Sequence, residues 1–155
     1  MIPAFVDGKN LPVGGHECTL DEVEARFASN EHRAGLFRTL VEVMKIAKRC
    51  GFLHALLGGS YPTTKEQPSD IDVTWFCPPG TKKASVRPEC IEIMEDNSDL
   101  GNFQFVPYDQ GSAPSDYEGK RKLWASPSFF GFDDKENTPR GVLLLNLEDD
   151  DYRLH

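Results

Sequence analysis

The sequence predicts a small domain of the α/β (α+β) class, a mixed β-sheet with flanking helices, and three observations predict it. Two capped amphipathic helices open the chain. A short apolar run and an alternating run follow, joined by a polar loop. A last β-rich run lies near the end. With 155 residues the chain is one domain's worth, able to bury a real core but short for two. We read residues 1–155 as a single domain whose residues 1–18 form an extended N-terminal arm.

In the arm, Pro3, Gly8, Pro12, Gly14 and Gly15 mark turns. Thr19 followed by Glu22 matches a capping box, in which hydroxyl and carboxylate each satisfy an orphan amide, and predicts a helix over Leu20–Phe27. Asn30 is a second N-cap. After it Leu36, Phe37, Leu40, Val41, Met44 and Ala47 recur at three- and four-residue steps, so one face is apolar. Lys48 and Arg49 favour the negative end of that helix dipole, and Gly51 suits the residue just past its end. Phe52–Leu57 is short and apolar enough for a buried strand, which Gly58-Gly59-Ser60 ends. Residues Tyr61–Ser69, with Pro62 and Pro68, read as a loop, and Asp70–Phe76 as a strand. A helix over Pro88–Glu95 and strands over Phe103–Val106 and Val142–Leu147 complete the set.

Composition excludes several classes. Hydrophobic residues at 39% and charged residues at 27% are an ordinary globular balance. No run approaches the roughly 20 apolar residues that cross a bilayer, and the first residues lack the pattern of a signal peptide. These features predict a cytoplasmic protein without a membrane partner. The net charge of −8, with Lys120-Arg121-Lys122 the one basic cluster, disfavours duplex nucleic acid as a partner. Cys18, Cys50, Cys77 and Cys90 form no C-x-x-C pair, so free thiols are expected rather than zinc or disulfides.

The chemistry concentrates in residues 57–73. Asp70 and Asp72, at i and i+2 on a strand, point to one face. Two carboxylates that close repel, and a cation between them relieves the repulsion. Hard oxygen ligands suit Mg²⁺, or Mn²⁺, which completes its shell with water and phosphate. Just upstream, Gly58, Gly59 and Ser60 allow backbone amides to approach an anion, and the hydroxyl adds a donor. A phosphate cradle before a metal-binding pair is what nucleotidyl transfer needs.

Gly59-Ser60, nine residues, then Asp70-Ile71-Asp72 resembles the G-S…D-x-D signature of the nucleotidyltransferase (polymerase β-like) superfamily. That superfamily includes minimal nucleotidyltransferases of toxin–antitoxin and defence modules. The opening Met-Ile-Pro-Ala-Phe, the Lys65-Glu66 loop and Phe129-Phe130…Pro139-Arg140-Gly141-Val142 are similar to small prokaryotic nucleotidyltransferase-like proteins of an uncharacterised family. The resemblance implies a nucleotidyltransferase-like fold and an NTP substrate. It implies metal and catalytic roles for Asp70 and Asp72, and nucleotide binding by Gly58, Gly59, Ser60 and Lys65.

It also implies a third carboxylate on a later strand. The residue at that place is Gln104, a neutral amide, and Asp109 beyond it has the opposite strand parity. An apparently incomplete carboxylate triad leaves two readings open. One is an Mg²⁺-dependent nucleotidyltransferase acting on an unknown acceptor. The other is a catalytically degenerate module, a nucleotide sensor or an antitoxin or defence-system subunit with a protein partner. His54, within an apolar strand, reads as a packed core histidine, and Tyr61 either packs or stacks on a nucleobase. The acidic run Glu148–Asp151 reads as a solvated end.

Overall fold

The computed structural model describes residues 1–49, 51–69, 71–76, 101–106, 132–133, 138–149 and 153–154, with backbone alone at 76, 101–106, 132–133 and 138–139. Asp70, the predicted 88–95 helix, Asp109, the basic cluster 120–122, the aromatic residues 124 and 129–130, and the other three cysteines lie outside the described residues.

Both opening helices form where their caps predict. Helix α1 (Leu20–Phe27) carries the full capping box: Thr19 N donates to Glu22 Oε2 at 2.8 Å and Glu22 N to Thr19 Oγ1 at 3.3 Å. Helix α2 (Glu31–Arg49) begins at Asn30, whose Oδ1 accepts from Arg33 N at 2.8 Å. Its end is marked by Gly51 at φ +99°, a left-handed conformation that costs glycine nothing.

The sheet has five strands in the order β1-β7-β2-β3-β4. Strands β2 (His54–Gly58) and β3 (Ile71–Phe76) run antiparallel, as do β2 and β7 (Val142–Asn146). Strand β1 (Gly15–Cys18) adds to β7 in parallel at one edge, and β4 (Gly101–Val106) to β3 in parallel at the other. Among the described residues the result is a mixed sheet with two helices, an α+β fold. A separate two-stranded ladder pairs β5 (Phe132–Asp133) with β6 (Thr138–Pro139).

The N-terminal arm is more than an extension, since Gly15–Cys18 forms the edge strand and residues before it pack back onto the domain. Leu11 and Ile2 are buried in the core, Gly141 N donates to Leu11 O, and Asn10 bridges Thr63.

Alternation divides the sheet. Ala55, Leu57, Ile71, Val73, Trp75, Leu143 and Leu145 share one cluster with Val23 and Phe27 of α1 and Leu36, Phe37, Leu40 and Met44 of α2. Residues of the other parity, Leu56, Thr74 and Leu144, are also buried. Asp72 and Gly58 have that second parity and pair in register. The candidate site therefore stands on the sheet face turned away from α1 and α2. Beyond Asn146 the chain returns to the helices, where Leu154 is buried and Arg153 bonds Asp21 and Glu24 on α1. Glu148 and Asp149 are exposed, and Asp150 and Asp151 lie outside the described residues.

Candidate functional site

Strand β2 ends at Gly58 and the chain turns at once through Gly59, whose φ is +71°. A side chain at Gly59 would be strained by that φ alone. It would also overlap Asp72: a Cβ built there collides with Asp72 Oδ2 and lies 2.9 Å from its Cγ. Glycine at 59 is thus required twice over, once by conformation and once by the carboxylate that rests on its backbone. Asp72 is half-buried, on the second residue of β3 directly across from Gly58. Pairing brings Gly58, Gly59 and Asp72 into one place, with Ser60 as the next residue of the turn.

Chemically, this juxtaposes backbone that suits an anion with a carboxylate that repels one. A phosphate on the Gly59–Ser60 turn would face Asp72 across a few ångströms, and a divalent cation between the two removes the conflict. Asp72 is a carboxylate that the structure places at this turn, Asp70 lies outside the described residues, and among those residues no group of three or more His, Cys, Asp or Glu side chains is gathered to hold a metal ion. Strand β4 places Asn102 opposite Asp72 and Gln104 opposite Thr74. No residue of Gly101–Val106 is acidic, so β4 supplies no third carboxylate.

Lys65 sits in the loop between the turn and β3, exposed, and its backbone is tightly held. Its carbonyl accepts from Arg33 Nε at 3.0 Å and Arg33 Nη2 at 2.6 Å. Arg33 also donates to the carbonyls of Phe27, Tyr61 and Thr63 at 3.1, 2.8 and 2.8 Å. Burial pulls its pKa below the usual arginine value, the Tyr61 charge opposing. Thr63 Oγ1 donates to Ser60 O at 2.6 Å, closing the turn.

Tyr61 is fully buried, so it does not stack on a nucleobase. Its ring packs 6.3 Å from that of Phe27 and lies under the Arg33 guanidinium, 4.9 Å from ring centroid to Cζ. Its hydroxyl donates to Arg33 O at 3.0 Å. Burial pushes the phenol up to about 12, with Arg33 pulling the other way.

The sequence reading missed Arg33. The signal was present: Arg33 lies on the same helical stripe as Phe37, Leu40, Met44 and Ala47, where an apolar residue belongs.

His54 is half-buried at the far end of β2 rather than packed in the core. It lines a cavity of about 520 Å³ with Glu17, Thr19, Glu22, Asn146 and Asp149. Burial lowers its pKa, and Glu148, Asp149 and Glu17 pull it back up.

The turn, the carboxylate and the saturated loop define an α+β protein with a candidate anion and cation site at one end of its central hairpin. The chain belongs to the family of unknown function DUF6932, whose profile matches residues 3–146. No curated protein and no solved structure matches it. Among the described residues no helix is long and apolar enough to cross a membrane.

Proposed function

We propose that this protein binds a nucleoside triphosphate with Mg²⁺ at the Gly58–Ser60 turn and the Asp70–Asp72 strand start, and transfers the nucleotidyl group to an acceptor hydroxyl. The observation that carries the reading is the contact of Asp72 with the backbone of Gly59. On this reading a cation ligand would stand beside an anion cradle, a juxtaposition that neither an ordinary turn nor a solvated strand start requires.

Backbone amides of Gly59 and Ser60 and the Ser60 hydroxyl would orient the β- and γ-phosphates. Lys65, exposed in the loop that follows the turn, would add a positive charge. Asp70 and Asp72 would hold the Mg²⁺, which when bound neutralises phosphate charge. The acceptor oxygen forms a bond to the α-phosphorus, the bond to the bridging oxygen breaks, and pyrophosphate leaves with its electron pair. The acceptor proton passes to solvent. On this reading the protein would act in the cytoplasm, where nucleoside triphosphates are abundant.

A second reading is favoured by β4. With Asn102 and Gln104 at its register positions beside β3, the strand lacks the carboxylate of a complete triad. On that reading the site binds nucleotide without turning it over, and the chain serves as a sensor or as the regulatory partner of another protein, as in antitoxin or defence modules. Incubation with α-labelled NTPs, Mg²⁺ and candidate acceptors separates the two. Label transfer lost in Asp72→Asn supports the enzyme. Tight Mg-NTP binding without transfer, and gain of transfer in Gln104→Asp, supports the module.

A further inference from the structure

A buried cation is costly unless it is fully bonded, and an arginine in a core normally faces a carboxylate. Arg33 is 2% exposed, and among the described residues no carboxylate pairs with it. A guanidinium has five N–H donors, and here each of them ends on a backbone carbonyl. Nη1 serves Phe27 and Tyr61, Nη2 serves Thr63 and Lys65, and Nε serves Lys65 again.

Three of those carbonyls, at 61, 63 and 65, alternate along the loop that joins the glycine turn to β3. The loop is wrapped around one planar fork. Neighbours on α2 extend the hold: Asn30 Nδ2 donates to Glu66 O at 2.8 Å, and His32 Nε2 donates to Pro68 O. From the other side the arm adds two bonds, Thr64 N to Lys9 O at 3.0 Å and Thr64 Oγ1 to Gly8 O at 3.1 Å.

Tyr61 directly follows Ser60, and Pro68 stands two residues before Asp70. The segment between the two halves of the candidate site is therefore fixed along its length to the first turn of α2. We propose that Arg33 is a positioning residue, which holds the 61–68 loop as a rigid wall and so sets Ser60 relative to Asp72 for a Mg-nucleoside triphosphate. The nucleotide half of this inference rests on the function proposed above; the clamp itself does not. A lysine cannot replace it, because three donors on a point charge do not reach four carbonyls in a plane.

The test uses the full chain and its Arg33→Lys variant, with Arg153→Lys as the control. Arg153 bonds Asp21 and Glu24 outside the loop, so it reports loss of an arginine without loss of the clamp. Tyr61→Phe, which removes only the hydroxyl bonded to Arg33 O, is the milder second variant. Amide hydrogen exchange at Thr64 and Lys65 is read without ligand, and Mg-ATP affinity by titration calorimetry.

In Arg33→Lys, exchange at these two amides rises roughly tenfold or more while β2 and β3 stay protected, and Mg-ATP binding weakens about tenfold or more. Tyr61→Phe shifts both in the same direction by less, and Arg153→Lys shifts neither. Wild-type exchange in Arg33→Lys overturns the clamp. Raised exchange with unchanged Mg-ATP affinity overturns the positioning role. If the wild type itself binds no Mg-ATP, the proposed function and the nucleotide half fall together, and the exchange data still decide the clamp.

Discussion

The two ends of β2 contrast in the space they leave. At the His54 end the protein is hollow, with a cavity of about 520 Å³ whose rim carries Glu17, Glu22 and Asp149. At the Gly58 end it is so tight that Gly59 has no room for a methyl group beside Asp72. Volume alone would favour the first end as a ligand site. Charge argues otherwise, because Glu17, Glu22 and Asp149 outnumber the one Met1 ammonium in the lining, which pairs with Glu22 at 3.5 Å, and the excess of carboxylates repels a triphosphate. For a polyanionic ligand, close backbone approach and one cation-binding carboxylate carry more information than size.

The largest effect that tests this contrast is expected from Gly59→Ala. The left-handed conformation costs a non-glycine residue about 1–2 kcal/mol. Displacing Asp72 adds to that, so chemical denaturation should show a loss of about 2 kcal/mol or more. Mg-ATP binding should vanish in the same variant, whereas mere destabilisation would leave the remaining folded fraction binding normally.

Tyr61→Phe comes next and reads out at high pH. Burial pushes the native phenol from its ordinary value of 10.0 up to about 12, so the folded state keeps a proton that the unfolded state releases. The stability this contributes is whole below pH 10 and is lost as pH rises through 12. At about 1.4 kcal/mol per unit, the wild type should lose roughly 2–3 kcal/mol over that window. The Phe variant should show a flatter alkaline limb, and an unchanged limb would remove the Tyr61 account. At neutral pH the missing hydroxyl bond should cost about 1 kcal/mol.

His54→Gln is the smallest, and acts at the other end. Burial lowers the pKa of His54 from 6.5, so the unfolded chain binds a proton more readily than the folded one. Stability is therefore intact above pH 6.5 and declines as pH falls from there to the folded pKa. The Gln variant should have a shallower acid limb in thermal melts and wild-type affinity for Mg-ATP. A changed affinity would mean that the two ends are not independent.

How much of this was legible from residues follows the range of the forces involved. Caps act within a turn of helix, so Thr19, Glu22, Asn30 and Gly51 marked α1 and α2 directly. The pairing of Gly58 with Asp72 was implicit in a glycine turn followed by a short loop and an alternating strand. Strand β1 was not legible, because Gly-His-Glu-Cys has no alternation and its place beside β7 depends on a segment more than a hundred residues away. The role of Arg33 was half visible. Its position on an apolar stripe announced burial, but four carbonyl partners on two segments are a property of the folded chain alone. The parting of Tyr61 from the ligand surface has the same origin. Proximity to the glycine turn suggested exposure, and the carbonyl of Arg33 and the ring of Phe27 drew the side chain inward.

The central claim, that the glycine turn and the Asp70–Asp72 pair together take a Mg-nucleoside triphosphate, is tested most directly by titration calorimetry. The wild type and Asp72→Asn would each be titrated with ATP, GTP, CTP and UTP, with Mg²⁺ and with EDTA. The account predicts wild-type binding of at least one nucleotide that requires Mg²⁺ and is lost in Asp72→Asn while the melting temperature stays near wild type. Nucleotide binding that is indifferent both to Mg²⁺ and to Asp72, or no binding at all by a folded wild type, would contradict it.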